Sequence, residues 1–246
     1  MKPRHTISWR IGRFAADRRL LALLIFIAIL LAAMAWLRDN PQHDPWAPLD
    51  LRDPDGFATA AKWSSLREDV QICQQVLERS AIEFKVLEPS GVGACTRPDR
   101  VTLEDSPLTP SAPVATCAVN AAMTSWLQKT VEPAALDIMN SPLASVRHLG
   151  TYSCRRLYGR SEGRWSQHAT GNAIDIAGFV LEDGTEISIV SDWAEEASTD
   201  RKARFLRRVG SGACDVFGTV LSPDYNEAHR DHFHLDQARG NRGVCR

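Results

Sequence analysis

Between Leu20 and Leu37 no side chain carries a charge. Those 18 residues approach the roughly 20 that a helix needs to cross the hydrocarbon core of a bilayer. A helix satisfies its own backbone hydrogen bonds there, so this run divides the chain before any other feature is considered. Ahead of it, residues 1–19 hold six Lys or Arg and one acid. Such a basic arm is expected to stay in the cytoplasm and to send the remainder across the membrane. A cleaved signal peptide is the rival reading, because Ala33-Met34-Ala35 has the small-x-small form of a cleavage site. The length of the apolar run favours a retained anchor over residues 20–37.

Residues 38–56 contain Pro41, Pro45, Pro48 and Pro54 among several aspartates, a composition expected to resist packing and to act as a linker. Charge narrows the partners. The first 19 residues carry +5 and the whole chain −1, so the part beyond residue 19 carries −6. That balance argues against nucleic acid, whose binding rests on a cationic surface.

Residues 57–246 suffice for one domain with a full core. Helical spacing of Leu66, Val70, Cys73 and Leu77 predicts a helix over Phe57–Ser80. A second is expected from Pro113 to Val131, opened by its proline and ended before Pro133, with Ala118, Ala121, Ala122, Trp126 and Leu127 in the core. Short strands are expected at 84–87 and 101–103. Longer ones are expected at 146–152, 173–180, 186–190, 217–221 and 232–236, with Asp183-Gly184 as a hairpin turn. Thr199 is expected to cap an outer helix running to Val209. The fold class is therefore α+β: a single domain in which a small antiparallel sheet is flanked by helices, preceded by one transmembrane helix.

Six cysteines, Cys73, Cys95, Cys117, Cys154, Cys214 and Cys245, all follow the apolar run. An even count in an exported domain predicts three disulfides, although spacing alone cannot choose among 15 pairings. Without a CxxC pair, a cysteine zinc site is not expected. Cys245 suggests a bridge that pins the tail.

Chemistry concentrates in two stretches. His229-Arg230-Asp231-His232-Phe233-His234 holds three of the seven histidines. On a strand, His232 and His234 would share one face while Phe233 and Leu235 turn to the other. Upstream, Ser166 to Asp175 contains His168, a Gly171 that permits a turn, and Asp175 between Ile174 and Ile176. A carboxylate in such apolar company is costly to bury unless it is paired or bound to a metal. His168, Asp175 and either His232 or His234 would form a nitrogen and oxygen set of the kind that holds a catalytic zinc.

Ser166-x-His168-x-x-Gly171-x-Ala173-x-Asp175, with His232-x-His234 downstream, resembles the signature of the zinc peptidases that include lysostaphin-type enzymes, D-Ala-D-Ala peptidases and the hedgehog amino-terminal domain. The string from His229 to His234 is similar to the end of the penicillin-insensitive murein endopeptidases. From about Ser145 to Arg246 the chain resembles the bacterial extensin-like C-terminal domain family, most closely over 147–155, 166–178, 217–221 and 223–236.

The resemblance implies that His168, Asp175 and His234 hold Zn2+ and that His232 stands beside the metal-bound water, where it would take or return the proton; His229 and Asp231 are candidates for orienting His232 or the ligands. Several D-Ala-D-Ala peptidases have a glutamate base where this chain has Asp231, one methylene shorter; histidines at 229 and 232 match the murein endopeptidases better. Arg155 or Arg156 is expected to steady an oxyanion or hold a substrate carboxylate.

The function so implied is a zinc hydrolase of peptidoglycan peptides, anchored in the bacterial inner membrane with its C-terminal domain in the periplasm. The alternative is a wall-binding or envelope scaffolding module that keeps the fold without turnover. A purely structural metal fits less well, since structural zinc sites are usually closed by four ligands and rich in cysteine.

Overall fold

In the computed structural model the chain is described over residues 15–194, 199–239 and 244–246; most of the basic arm lies outside this range. Helix α1 (Ala15–Asp39) runs 25 residues with none of them buried. It is long and apolar enough to cross a membrane. The segment after it departs from the linker expectation. Leu49 and Leu51 belong to the core cluster, Leu51 N donates to Ser80 Oγ at 2.8 Å, and Lys62 Nζ donates to the Pro41 carbonyl at 2.7 Å. Proline removes donors from this stretch but leaves carbonyls and leucines free to dock.

The helix expected over 57–80 is two helices, α2 (Thr59–Glu68) and α3 (Val70–Arg79). Asp69 separates them with an extended backbone, and its carboxylate accepts from Gln71 N at 2.8 Å and Ile72 N at 3.1 Å. This capping bond offers the chain an alternative to a continuous helix. The break also re-phases the faces: Leu66, Cys73 and Leu77 are buried, whereas Val70 is exposed.

Helix α4 (Cys117–Trp126) is capped by Thr116, so Pro113 lies outside it. Nor does it stop before Pro133. The helical path continues through wide i→i+5 turns at Leu127–Val131 and Ala135–Met139, on either side of Glu132–Ala134. Widened turns spare the chain the clash between a proline ring and the carbonyl four residues earlier. Asn140, in the left-handed region at φ 59°, ends the path. The outer helix α5 (Arg201–Ala213) is capped by Asp200, one residue beyond the Thr199 expected, and extends past Val209.

Strands β1 (Phe84–Val86) and β2 (Val101–Leu103) form a small antiparallel pair. The main sheet contains β3 (Leu108–Thr109), β4 (Leu143–Gly150), β5 (Ala173–Leu181), β6 (Glu186–Ser188), β7 (Thr219–Leu221), β8 (Phe233–Asp236) and β9 (Val244–Cys245). Its order is β3-β4-β5-β8-β7-β9, with β6 also on β5. Most pairs are antiparallel as expected, while β3 and β9 add short parallel pairings. On one face Trp126 packs edge-on against Phe179 at 6.0 Å and Phe217 at 6.4 Å, and Phe179 meets Phe205 of α5 at 5.1 Å. These large buried rings fix the sheet to α4 and α5.

Three disulfides form, as the cysteine count predicted: Cys73–Cys117, Cys95–Cys154 and Cys214–Cys245. The first joins α3 to α4, and the last holds the tail beside β7.

Candidate metal centre

Alternation along β5 and β8 creates the site. Ile174, Ile176, Phe233 and Leu235 are fully buried in the core, so Asp175 and His234 fall on the opposite face. The two are directly opposed in the β5–β8 register. His168 arrives from a 3-10 turn, Gln167–Thr170, capped by Ser166 and ended by Gly171 at φ 72°. The left-handed backbone there favours glycine, and a Cβ on residue 171 would lie 3.0 Å from the Arg97 guanidinium.

Three ligand atoms converge. His168 Nε2 lies 3.1 Å from Asp175 Oδ1 and 3.1 Å from His234 Nδ1, and His234 Nδ1 lies 3.0 Å from the same carboxylate oxygen. The far nitrogens are committed elsewhere: His168 Nδ1 donates to the Thr151 carbonyl and His234 Nε2 to Asp236 Oδ2, each at 3.1 Å. Carbonyl and carboxylate oxygens only accept, so both near nitrogens present lone pairs to one point. Something positive must stand between them, either a proton or a cation.

Tetrahedral zinc with Zn–N bonds of about 2.0–2.1 Å sets its ligand atoms roughly 3.3 Å apart, close to the triangle found here. Two imidazoles with one carboxylate suit zinc better than calcium or magnesium, which prefer oxygen. The donors therefore fit such an ion.

Electrostatics follow from the same contacts. Burial opposes charge on Asp175, but the bonds from His168 and His234 outweigh it and hold the carboxyl well below the usual carboxylate range. Burial also opposes charge on His234, yet its bonds to Asp175 and Asp236 push its pKa up to about 9. In the metal-free protein His234 thus carries the proton.

His232 stands just before β8, with Nε2 3.7 Å from Asp175 Oδ1 and Nδ1 2.8 Å from Asp231 Oδ1. Asp231 is therefore hydrogen-bonded to His232. His229 holds its ring 5.3 Å from that of His232, tilted to it, and 5.8 Å edge-on from that of His234, and its Nδ1 meets Asn226 Oδ1 at 2.7 Å. Burial and the adjacent histidines push His229 down to about 4, which leaves it neutral at pH 7.

The two arginines separate. Arg155 is exposed with its charge felt at His229, while Arg156 lies over the Trp165 ring at 4.4 Å. His148 is placed apart, on the Ser111 carbonyl at 2.9 Å.

Sequence reasoning missed Thr151, Asn226 and Asp236. Asp236 had a signal, since it follows His234 by two on the same strand and must share its face. Asn226 had one too, since it precedes His229 by three and caps the turn that ends there, whereas Thr151 lies 17 residues before His168 and had none.

Comparison with protein families matches residues 71–246 to a model described as Extensin-like protein C-terminus. Comparisons with curated proteins and with solved structures gave no match.

Proposed function

The chain belongs to the extensin-like protein C-terminus family, and from that membership and its metal centre we propose a membrane-anchored, periplasmic, zinc-dependent hydrolase that cleaves an amide bond in peptidoglycan peptides. The observation that carries this reading is the convergence of His168, Asp175 and His234, whose ligand atoms all lie within 4.8 Å of one another.

A bound zinc supplies Lewis acidity toward a carbonyl oxygen and lowers the pKa of water toward about 7. His168, Asp175 and His234 would hold it. Thr151 and Asp236 orient the two imidazoles, and such supporting bonds raise ligand basicity as well as fixing tautomers. His232, steadied by Asp231 through Nδ1, keeps Nε2 free on the side of Asp175, where it can take or return a proton from the substrate. Arg155 supplies an exposed cation whose charge is felt at His229, suited to a substrate carboxylate or a developing oxyanion. Helix α1 would tether the domain to the inner membrane.

The test combines metal content and turnover in the full-length protein. About one zinc per chain is expected in wild type, as for an open three-ligand site, and its loss in His168→Ala, Asp175→Ala and His234→Ala. Purified wall material should release peptide fragments with wild type and not with His232→Ala. Metal without fragments would favour the wall-binding module; no metal even after zinc is supplied would overturn the hydrolase.

A further inference from the structure

The loop from Ser153 to Ser166 leads from β4 into the turn that carries His168. Its base is pinned to the site: Ser153 N donates to the His168 carbonyl at 3.1 Å, and Ser166 N to that of Arg155 at 3.1 Å. Between these points Arg156 and Trp165 are bridged as a small hairpin. The loop contains Arg155, Arg156, Arg160 and Arg164 against Glu162 alone. It is a cationic patch on a chain that is acidic beyond its N-terminal arm.

Aromatic faces accompany the charge. Tyr158, Trp165 and, from the loop before His229, Tyr225 are all exposed. Arg156 covers one side of Trp165 at 4.4 Å, and Arg160 lies 5.8 Å from the Tyr158 ring. Tyr158 also holds a backbone conformation uncommon for a residue with a side chain, φ 58° and ψ 24°. This brings its hydroxyl to 3.3 Å from Asn226 Nδ2, the amide whose Oδ1 holds His229 at 2.7 Å. The Tyr225 ring stands 5.5 Å from His229. Patch and metal centre are thus joined through Asn226 and His229.

Exposed aromatic residues offer rigid, amphipathic contact area at low entropic cost, and guanidinium groups match carboxylates. We propose that this loop, with Tyr225, is a docking site for a carboxylate-bearing glycopeptide strand, whose sugar rings lie on Trp165, Tyr158 and Tyr225 and whose carboxylates meet the loop arginines. The choice of wall material as the strand rests on the functional reading above, whereas docking itself does not require turnover or zinc.

Co-sedimentation of the full-length protein in detergent with purified, insoluble wall sacculi, in the presence of a chelator, separates the two. Wild type should pellet with the metal chelated. Trp165→Ala and the double variant Arg160→Glu/Arg164→Glu, all at exposed positions, should bind at least about tenfold more weakly, the loss of roughly one good contact. Sacculi with amidated carboxylates should bind wild type comparably poorly. Loop variants that pellet as well as wild type, or undiminished binding to amidated sacculi, would overturn the proposal. Binding that depends on the loop while fragments are never released would remove the hydrolase and leave the docking site standing.

Discussion

Asp175 and His234 face each other across the β5–β8 ladder, with Oδ1 3.0 Å from Nδ1. A cross-strand pair at this separation is held by the backbone register itself, so the centre is preorganised before any ion arrives. Its sensitivity should therefore lie in the groups that orient the rings.

Asp236 is the first of these. Replacing it by Asn keeps an oxygen for the Ala238 N–H it now accepts at 2.8 Å, but removes the charge behind His234 Nε2. Zinc affinity should fall by about 10–100-fold with the fold intact. Competition against a chromophoric chelator measures the change, and an unaltered affinity would discard the orienting role.

Metal uptake should release a proton. The metal-free His234 is pushed up to about 9 from an ordinary value of 6.5, and only its neutral form is a ligand. Apparent zinc affinity should therefore rise with pH through that window. In the metal-free protein the sign reverses: the stability contributed by protonated His234 is fully present below 6.5 and is lost as pH rises through about 9. Calorimetric titration of zinc in buffers of different ionisation enthalpy, at pH 7, should report the proton; buffer-independent heats would contradict it.

Trp126 is fully buried, and its Nε1 donates to the Val209 carbonyl at 2.8 Å. Trp126→Ala opens a cavity between α4, α5 and the sheet and leaves that carbonyl without its partner. The expected cost is about 3–5 kcal/mol, read from the shift in urea unfolding midpoint. A shift worth less than about 1 kcal/mol would mean that the sheet collapses onto the helices without it.

Cys95–Cys154 closes a separation of 59 residues and ends one position before Arg155. Replacing both cysteines by Ser should cost about 2–4 kcal/mol and should weaken wall docking more than zinc binding, because His168, Asp175 and His234 lie outside the tether. Parallel zinc titration and sacculus pelleting of the double variant would show whether the two losses separate.

Features written over a few neighbouring residues were legible without a structure. The uncharged run anticipates α1, the period-2 alternation around Asp175 and His234 separates core from site, and an even cysteine count anticipates three bridges. Sequence spacing narrowed the ligands but left His232 and His234 both open, because i, i+2 spacing would give both one face of a strand, whereas β8 begins only at Phe233. Local chemistry also misled. Asp69 breaks a helix that the apolar spacing alone would continue, Pro133 sits within a helical path that widens around it, and the proline content of 38–56 masks the docking of Leu49 and Leu51.

By itself, then, the sequence determined the apolar helix, the α+β alternation and the residue types able to bind a metal, since each depends on backbone periodicity or side-chain chemistry within a few positions. Tertiary structure alone decided which cysteines pair, that Asp175 stands opposite His234, and that the Thr151 carbonyl turns the His168 ring toward them. Those relationships depend on closing long loops around a shared core, and no local pattern records which distant groups that closure brings within hydrogen-bonding reach.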